Sequence, residues 1–306
     1  MTLQPASVSE LSLALSSASQ SNTRVRHVSL SALNRLLEHT PEDMTATMET
    51  GLTLAALQAQ LASRRQWLPI DPANSERITV AEVLNGDLSG PRRFGYGTIR
   101  EHLLGVKVVL ADGRVICNGG KVVKNVAGYD LCKLFVGAQG SLGVIVEATF
   151  KLRPLPEAER FMSASDESLA RAGRFLEPVL DSDLTPVVFD LAERTVILGF
   201  AGTREEVEWQ VGLAAALGFA DTAALEYERE FWNSAAVPVR RAAVLPSRLI
   251  ETLQALKPDQ FVARAGNGVI YYRGGAALPA PELPLKLIRR VKDTYDPKHI
   301  LPEPSL

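Results

Sequence analysis

Gly119-Gly120-Lys121-Val122-Val123-Lys124-Asn125-Val126-Ala127-Gly128-Tyr129-Asp130-Leu131-Cys132-Lys133-Leu134-Phe135-Val136-Gly137-Ala138-Gln139-Gly140-Ser141-Leu142-Gly143 is the stretch on which the reading of this chain turns. It sets six glycines around one short helical segment, with Leu131, Leu134 and Phe135 on a single face. Glycines placed this way mark tight turns or backbone that something bulky approaches closely. The pattern is that of a main chain wrapped around a cofactor.

Two nucleotide motifs are excluded. Gly137, Gly140 and Gly143 follow a helix and precede a strand, whereas the dinucleotide fingerprint requires strand, glycine turn and then helix. Gly119-Gly120-Lys121 superficially matches a phosphate loop, but Val122 stands where a magnesium-binding Ser or Thr belongs. Working outward, the 306 residues allow two domains of ordinary size, and 46% apolar with 22% charged residues is a globular composition. A net charge of -2 offers no basic stripe for nucleic acid. No run of roughly 20 apolar residues predicts a membrane span, and no signal segment is read at the amino terminus, so the expected compartment is the cytoplasm. Cys117 and Cys132 are expected as two buried free thiols. His27, His39, His102 and His299 lack metal-ligand spacing, no Gly-x-Ser-x-Gly elbow is present, and no metal or catalytic residue is assigned.

Periodicity predicts a helix over 7–19, a further apolar face at helical or turn spacing through Leu30, Leu33, Leu36 and Leu37, and a strand over Met44–Glu49. Thr53 is read as the N-cap of the next helix. Asp112-Gly113 joins two short strands as a hairpin, and the alternation from Val144 to Leu152 is a half-buried strand ended by Pro154 and Pro156. A domain boundary is expected there, giving domains 1–156 and 157–306. Beyond it come a helix at 166–177, strands at 186–191 and 195–200, and a Thr203/Glu206 capping box. Strand 240–245, helix 247–256 and strands 261–265 and 268–273 follow, an antiparallel sheet covered on one face. Asp296-Pro297 stops a last helix.

Leu68-Pro69-Ile70-Asp71-Pro72, Ser89-Gly90-Pro91-Arg92-Arg93, Tyr96-Gly97-Thr98-Ile99-Arg100, Lys124 to Leu131, Val136 to Ile145 and the tail Arg290 to Pro297 together resemble the vanillyl-alcohol oxidase and p-cresol methylhydroxylase (PCMH-type) class of FAD-binding proteins. Within that class they are most similar to the FAD-binding E subunits of bacterial glycolate oxidases. The resemblance implies an α+β chain: a PCMH-type FAD-binding domain of two α/β subdomains, then an α+β cap domain with an antiparallel sheet. It implies non-covalent FAD, lined by Gly90, Gly95, Gly97, Thr98, Asn125, Gly128, Gly137, Gly140, Gly143, Val144 and Ile145. It also implies partners, a larger flavoprotein subunit and an iron-sulfur subunit, which could hold the chain at the inner face of the membrane.

Two features depart from the family. The phosphate loop is reduced to Ser21–His27 without glycine, and Thr79-Val80 is followed by Ala81 and Glu82 instead of a glycine pair. Weaker diphosphate binding is therefore expected, with Glu82 adding like-charge repulsion. Arg24 and Arg26 are candidate compensating cations, against the favoured plain reading of surface arginines; His27 is read as a surface residue before a flavin attachment point. The cap, 157–283, has no histidine to serve as base or ligand, and Tyr271, Tyr272 and Arg273 are read first as strand packing. The expected function is electron transfer by a subunit that does not itself oxidise the 2-hydroxy acid. The alternative is a flavin-free structural subunit that keeps the scaffold. Either reading expects an open groove between the halves of the first domain, wider on the 21–27 side than a flavoprotein needs.

Overall fold

The computed structural model describes residues 1–120, 131–222, 224–234, 237–279 and 283–304. Its contacts divide into two units: 1–89, 98–155 and 282–306 in the first, 90–97 and 156–281 in the second.

In the first unit, α1 (Val8–Gln20) starts where the Ser7 hydroxyl accepts the Glu10 N–H at 3.1 Å, and it buries Leu11, Leu15 and Ala18 along one face. It connects two short parallel strands, Thr2–Leu3 and His27–Val28, over a small core that includes Val25, Leu30 and Leu33. The other half of the unit is a five-stranded antiparallel sheet. Its strands are β1 (Leu36–Thr40), β2 (Thr45–Glu49), β3 (Leu103–Val109), β4 (Val115–Gly119) and β5 (Val144–Lys151), in the order β1-β2-β5-β3-β4. The Asp112-Gly113 turn joins β3 to β4, with Gly113 at φ 89. The expected apolar face through Leu36 and Leu37 is therefore an edge strand rather than a helix.

α2 (Leu54–Ala62) begins at Thr53, whose hydroxyl accepts the Ala56 N–H at 3.3 Å, and buries Leu54, Leu57 and Leu61 on the larger core. α3 (Val80–Gly86) begins at Thr79. The last helix, Leu285–Tyr295, also belongs to this unit, where Tyr295 meets Phe135 edge-on at 5.6 Å. A boundary drawn by chain order alone grouped that helix with the cap. Its attachment is long-range, through a buried Lys292.

The second unit is a seven-stranded antiparallel sheet of β6 (Ala158–Ser165), β7 (Val188–Ala192), β8 (Thr195–Gly202), β9 (Ala220–Asp221), β10 (Arg240–Ala243), β11 (Gln260–Arg264) and β12 (Val269–Arg273), ordered β9-β6-β8-β7-β11-β12-β10. α4 (Arg204–Ala216) opens on a Thr203/Glu206 capping box, in which the Glu206 carboxylate accepts the Thr203 N–H at 2.9 Å. α5 (Glu226–Asn233) has no side-chain cap, and α6 (Leu249–Leu256) packs Leu249, Leu253 and Leu256 on the core. Tyr272 and Arg273 are buried within the unit, the Arg273 guanidinium donating to the Val237 and Phe231 carbonyls. Both cysteines are free thiols, but only Cys132 is buried as expected; Cys117 is exposed because its strand, β4, is at the edge of the first sheet.

Candidate functional site

The first unit contains a cavity of about 590 Å³. One wall is the 25–31 segment beside the short parallel strand pair, another the start of α3, a third the glycine turn entering β5, and a fourth the chain end at Leu301 and Pro302. Each wall is fixed by main-chain bonds. Val25 donates its N–H to the Ile300 carbonyl at 2.7 Å, which brings the carboxyl-terminal segment alongside. Thr50 donates its hydroxyl to the Ile145 carbonyl at 2.6 Å and accepts the Ala81 N–H on its own carbonyl at 2.8 Å, joining β5 to α3. Gly137 and Gln139 donate their N–H groups to Leu84 at 2.8 Å and Asn85 at 3.2 Å, so the glycine turn is held on the end of α3.

That turn needs glycine for backbone reasons. Gly137 has φ 78 and Gly140 φ 73, a region that side-chain-bearing residues rarely adopt. Gly140 borders the cavity, and its N–H has no acceptor among the described residues. Asn85 also borders it, with Oδ1 buried and without a partner there. A buried carboxamide oxygen left unpaired costs about 1–3 kcal/mol, so a donor from a ligand would be stabilising.

Of the residues expected to line a flavin, Gly140, Val144 and Ile145 come together on this cavity. Gly137 stands one turn away, bonded to α3. Gly143 has a packing reason to be glycine, because a Cβ there would lie 2.6 Å from Val108 Cγ1. Thr98 starts a one-turn helix, with its N–H bonded to Glu101 at 2.6 Å. Gly90, Gly95 and Gly97 belong to the second unit, where a Cβ on Gly95 would lie 2.6 Å from Val187 Cα. Asn125 and Gly128 lie outside the described residues.

The amides at the start of α3 do not face the cavity as free donors. Val80 bonds Leu52 at 2.9 Å, Glu82 bonds the Thr79 hydroxyl at 3.2 Å, and Val83 bonds the Thr79 carbonyl at 3.0 Å. Glu82 is not simply an intruding charge. Its Oε2 accepts the Thr79 N–H at 2.7 Å and the Thr79 hydroxyl at 2.9 Å, completing a capping box. Among the described residues Arg26 is the only lysine or arginine on the cavity, and Arg24 does not line it. No group that could hold a metal is found among the described residues.

Volume, the open Gly140 amide and the unpaired Asn85 oxygen fit a flavin or its nucleoside end, since sites for ligands of this size typically enclose about 300–1,000 Å³ with a few aimed polar groups. Arg26 is the cation available to a diphosphate. Sequence reading passed over Asn85, and Leu301 with Pro302. The first lies six residues past a cap, and the others reach the cavity only through a contact spanning nearly the whole chain.

Residues 12–117 match the family model described as an FAD binding domain. The chain is 33% identical over 166 residues to glycolate oxidase subunit GlcD of Bacillus subtilis, covering 54% of this chain and 35% of that protein. It is 37% identical over 124 residues to glycolate oxidase subunit GlcE of Escherichia coli, covering 40% and 35%. It is 40% identical over 119 residues to a D-lactate dehydrogenase of Archaeoglobus fulgidus, covering 39% and 26%. The chain thus spans about a third of the length of these relatives. An alkyldihydroxyacetonephosphate synthase has the same fold, with TM-score 0.75 and 14% identity over 100% of this chain and 77% of its own. Residues 12–117 thus carry an FAD binding domain, and the chain is similar, over part of their length, to glycolate oxidase subunits and to D-lactate and D-2-hydroxyglutarate dehydrogenases.

Proposed function

We propose that this chain is the FAD-binding, E-like subunit of a multi-subunit 2-hydroxy-acid oxidase or dehydrogenase, and that it carries electrons without itself oxidising the hydroxy acid. The observation that carries the reading is the first-unit cavity, with Gly140, Val144 and Ile145 on one wall and the unpaired Asn85 oxygen on another. Bound flavin supplies two-electron acceptance and one-electron release. The chain's own contribution is to hold and orient it: Gly140 by an amide, Asn85 by an acceptor, Arg26 by charge, and Leu301 with Pro302 as an apolar wall.

The second unit contains no histidine, so it offers no imidazole base for a hydroxy acid, which supports leaving that step to a larger flavoprotein partner. The relatives named as glycolate oxidase subunits support assembly with other chains, and the proposal takes an iron-sulfur subunit to be one of them. No helix among the described residues is long and apolar enough to cross a membrane, so attachment to the inner face would come through those partners.

One observation favours a second reading. The internally satisfied amides of α3 leave the diphosphate few donors, as expected of a flavin-free scaffold subunit. Purified protein titrated with FAD separates the two. The proposal expects a resolved flavin absorbance spectrum and quenched flavin fluorescence at micromolar FAD; no binding at high micromolar FAD would leave only the scaffold. Co-purification with a larger flavoprotein supports the subunit role, and turnover of a 2-hydroxy acid by the isolated chain overturns it.

A further inference from the structure

We propose that Arg26 and Glu82 together set how tightly this cavity holds a diphosphate, Arg26 as its clamp and Glu82 as an opposing charge. The inference rests on FAD being the ligand of the cavity and names the residues that decide its affinity there.

A diphosphate needs donors or cations; the described lining offers neutral polar side chains such as Ser29, Ser31, Asn34 and Gln139, but the amides at the helix end, which would bind an anion best, are taken. Four amides at the start of α3 are satisfied within the protein: Val80 by Leu52 at 2.9 Å, Ala81 by Thr50 at 2.8 Å, Val83 by Thr79 at 3.0 Å and Glu82 by the Thr79 hydroxyl at 3.2 Å. Helix ends hold anions through free N–H groups, and here those groups are occupied. The Gly140 amide, on the glycine turn, has no acceptor among the described residues. Among the described residues Arg26 is then the one permanent cation on the cavity wall, and its guanidinium has no ion-pair partner there. Its backbone is fixed, because the Arg26 N–H bonds the Met1 carbonyl at 2.8 Å and the adjacent Val25 N–H bonds Ile300 at 2.7 Å. An anchored main chain carrying an uncommitted guanidinium beside a cavity suits phosphate recognition, for which a planar fork of donors is well matched.

Glu82 lines the same cavity and works the other way. Its Oε2 is engaged by Thr79, while Oε1 accepts nothing from the described residues. A carboxylate facing a diphosphate is repulsive, and it opposes the single cation that the described residues place on that wall.

The test is a fluorescence titration with FAD and, separately, with riboflavin, which has the ring and the sugar chain but no phosphate. The proteins are wild type, Arg26→Ala, Arg26→Lys and Glu82→Gln, with thermal melts to verify folding. Gln keeps the capping box, since it serves at the same helix position as Glu. Expected for Arg26→Ala is FAD binding weaker by about tenfold, with Arg26→Lys intermediate and riboflavin changed by less than about twofold. Glu82→Gln should tighten FAD by about threefold or more and leave riboflavin alone. Added salt should weaken FAD less in Arg26→Ala than in wild type. If wild type binds FAD but the preference of FAD over riboflavin is the same in all four proteins, the clamp is refuted and the FAD reading survives. If both flavins weaken together, the substitutions act on shape and the clamp is again refuted. If wild type binds neither flavin, the FAD reading falls and the inference with it.

Discussion

Lys292→Met should be among the most damaging single changes in the first unit. The Lys292 side chain is 3% exposed, and its ammonium donates to Asp296 Oδ2 at 2.6 Å, Ser141 O at 2.9 Å, Pro302 O at 3.1 Å and Leu301 O at 3.2 Å. Asp296 is fully buried and also accepts the Ile300 N–H at 3.0 Å and the Leu301 N–H at 2.8 Å. Met keeps the apolar stem and removes the charge, leaving a buried carboxylate without its cation, which costs about 3–5 kcal/mol. The carbonyls that lose a donor add to this, while the two amides still on Asp296 offset part of it. A net loss of about 4 kcal/mol is a large share of the roughly 5–15 kcal/mol that stabilises a domain. Urea unfolding should show the midpoint falling at nearly constant slope. Because Leu301 and Pro302 line the cavity, FAD and riboflavin binding should weaken together, unlike in the Arg26 variants. Lys292→Met with Asp296→Asn removes the stranded charge and keeps an acceptor, so about half the loss should return. A single variant within about 1 kcal/mol of wild type, or a double variant no better than the single, would refute this account.

In the second unit, burial pushes the Asp190 carboxyl up to about 7 from 3.8, against the pull of the Arg264 guanidinium at 2.5 Å. The folded state then holds a proton that the unfolded chain releases, so this contribution is full below pH 3.8 and is lost as pH rises through about 7. Melts of wild type should lose about 2 kcal/mol more between pH 5 and 7 than melts of Asp190→Asn, and parallel curves would count against the raised carboxyl. Arg264→Met leaves Asp190 and Glu228 buried without their cation and should destabilise that unit by about 3–5 kcal/mol in denaturant unfolding. Gly51→Ala puts a Cβ 1.9 Å from the Leu30 carbonyl oxygen, so a loss of about 3 kcal/mol is expected; a melting point within error of wild type would contradict that packing.

The elements read correctly from sequence are those in which local rules and tertiary packing agree. Leu11, Leu15 and Ala18 share a face of α1 and are buried, Thr53 and Thr203 cap the helices expected of them, and Asp112-Gly113 turns a hairpin. α5 was missed because it inverts the usual polarity. Its Glu228 is buried against Arg264 and bonded by the Trp232 indole at 2.7 Å, so a core-facing position carries a charge. Its first residue also follows Leu225 at φ 51, with no capping side chain to announce it. The last helix was placed with the wrong unit for a related reason. Chain order groups it with the cap and gives no sign that Lys292 and Asp296, four residues apart, are buried as a pair.

At the candidate site, sequence carried the glycine turn but not what the turn does. Left-handed backbone at Gly137 and Gly140 is a local property, visible as glycine in the chain. Whether a neighbouring amide points at a ligand or at another carbonyl depends on partners distant in sequence, such as Leu84 for Gly137 and Thr50 for Ala81. Glu82 shows the difference most clearly: read alone it is a charge intruding on a phosphate site, yet it closes a helix cap, and the same residue does both. The cavity walls are thus held by protein-to-protein bonds, from Val25 to Ile300 and from Thr50 to Ile145, none of which requires a bound flavin. A scaffold anchored in this way keeps its shape whether the cofactor binds tightly or weakly. The proposal accordingly places the consequence of the missing glycine-rich loop in the affinity for the diphosphate rather than in the fold, with Arg26, Asn85 and the Gly140 amide as the groups to test.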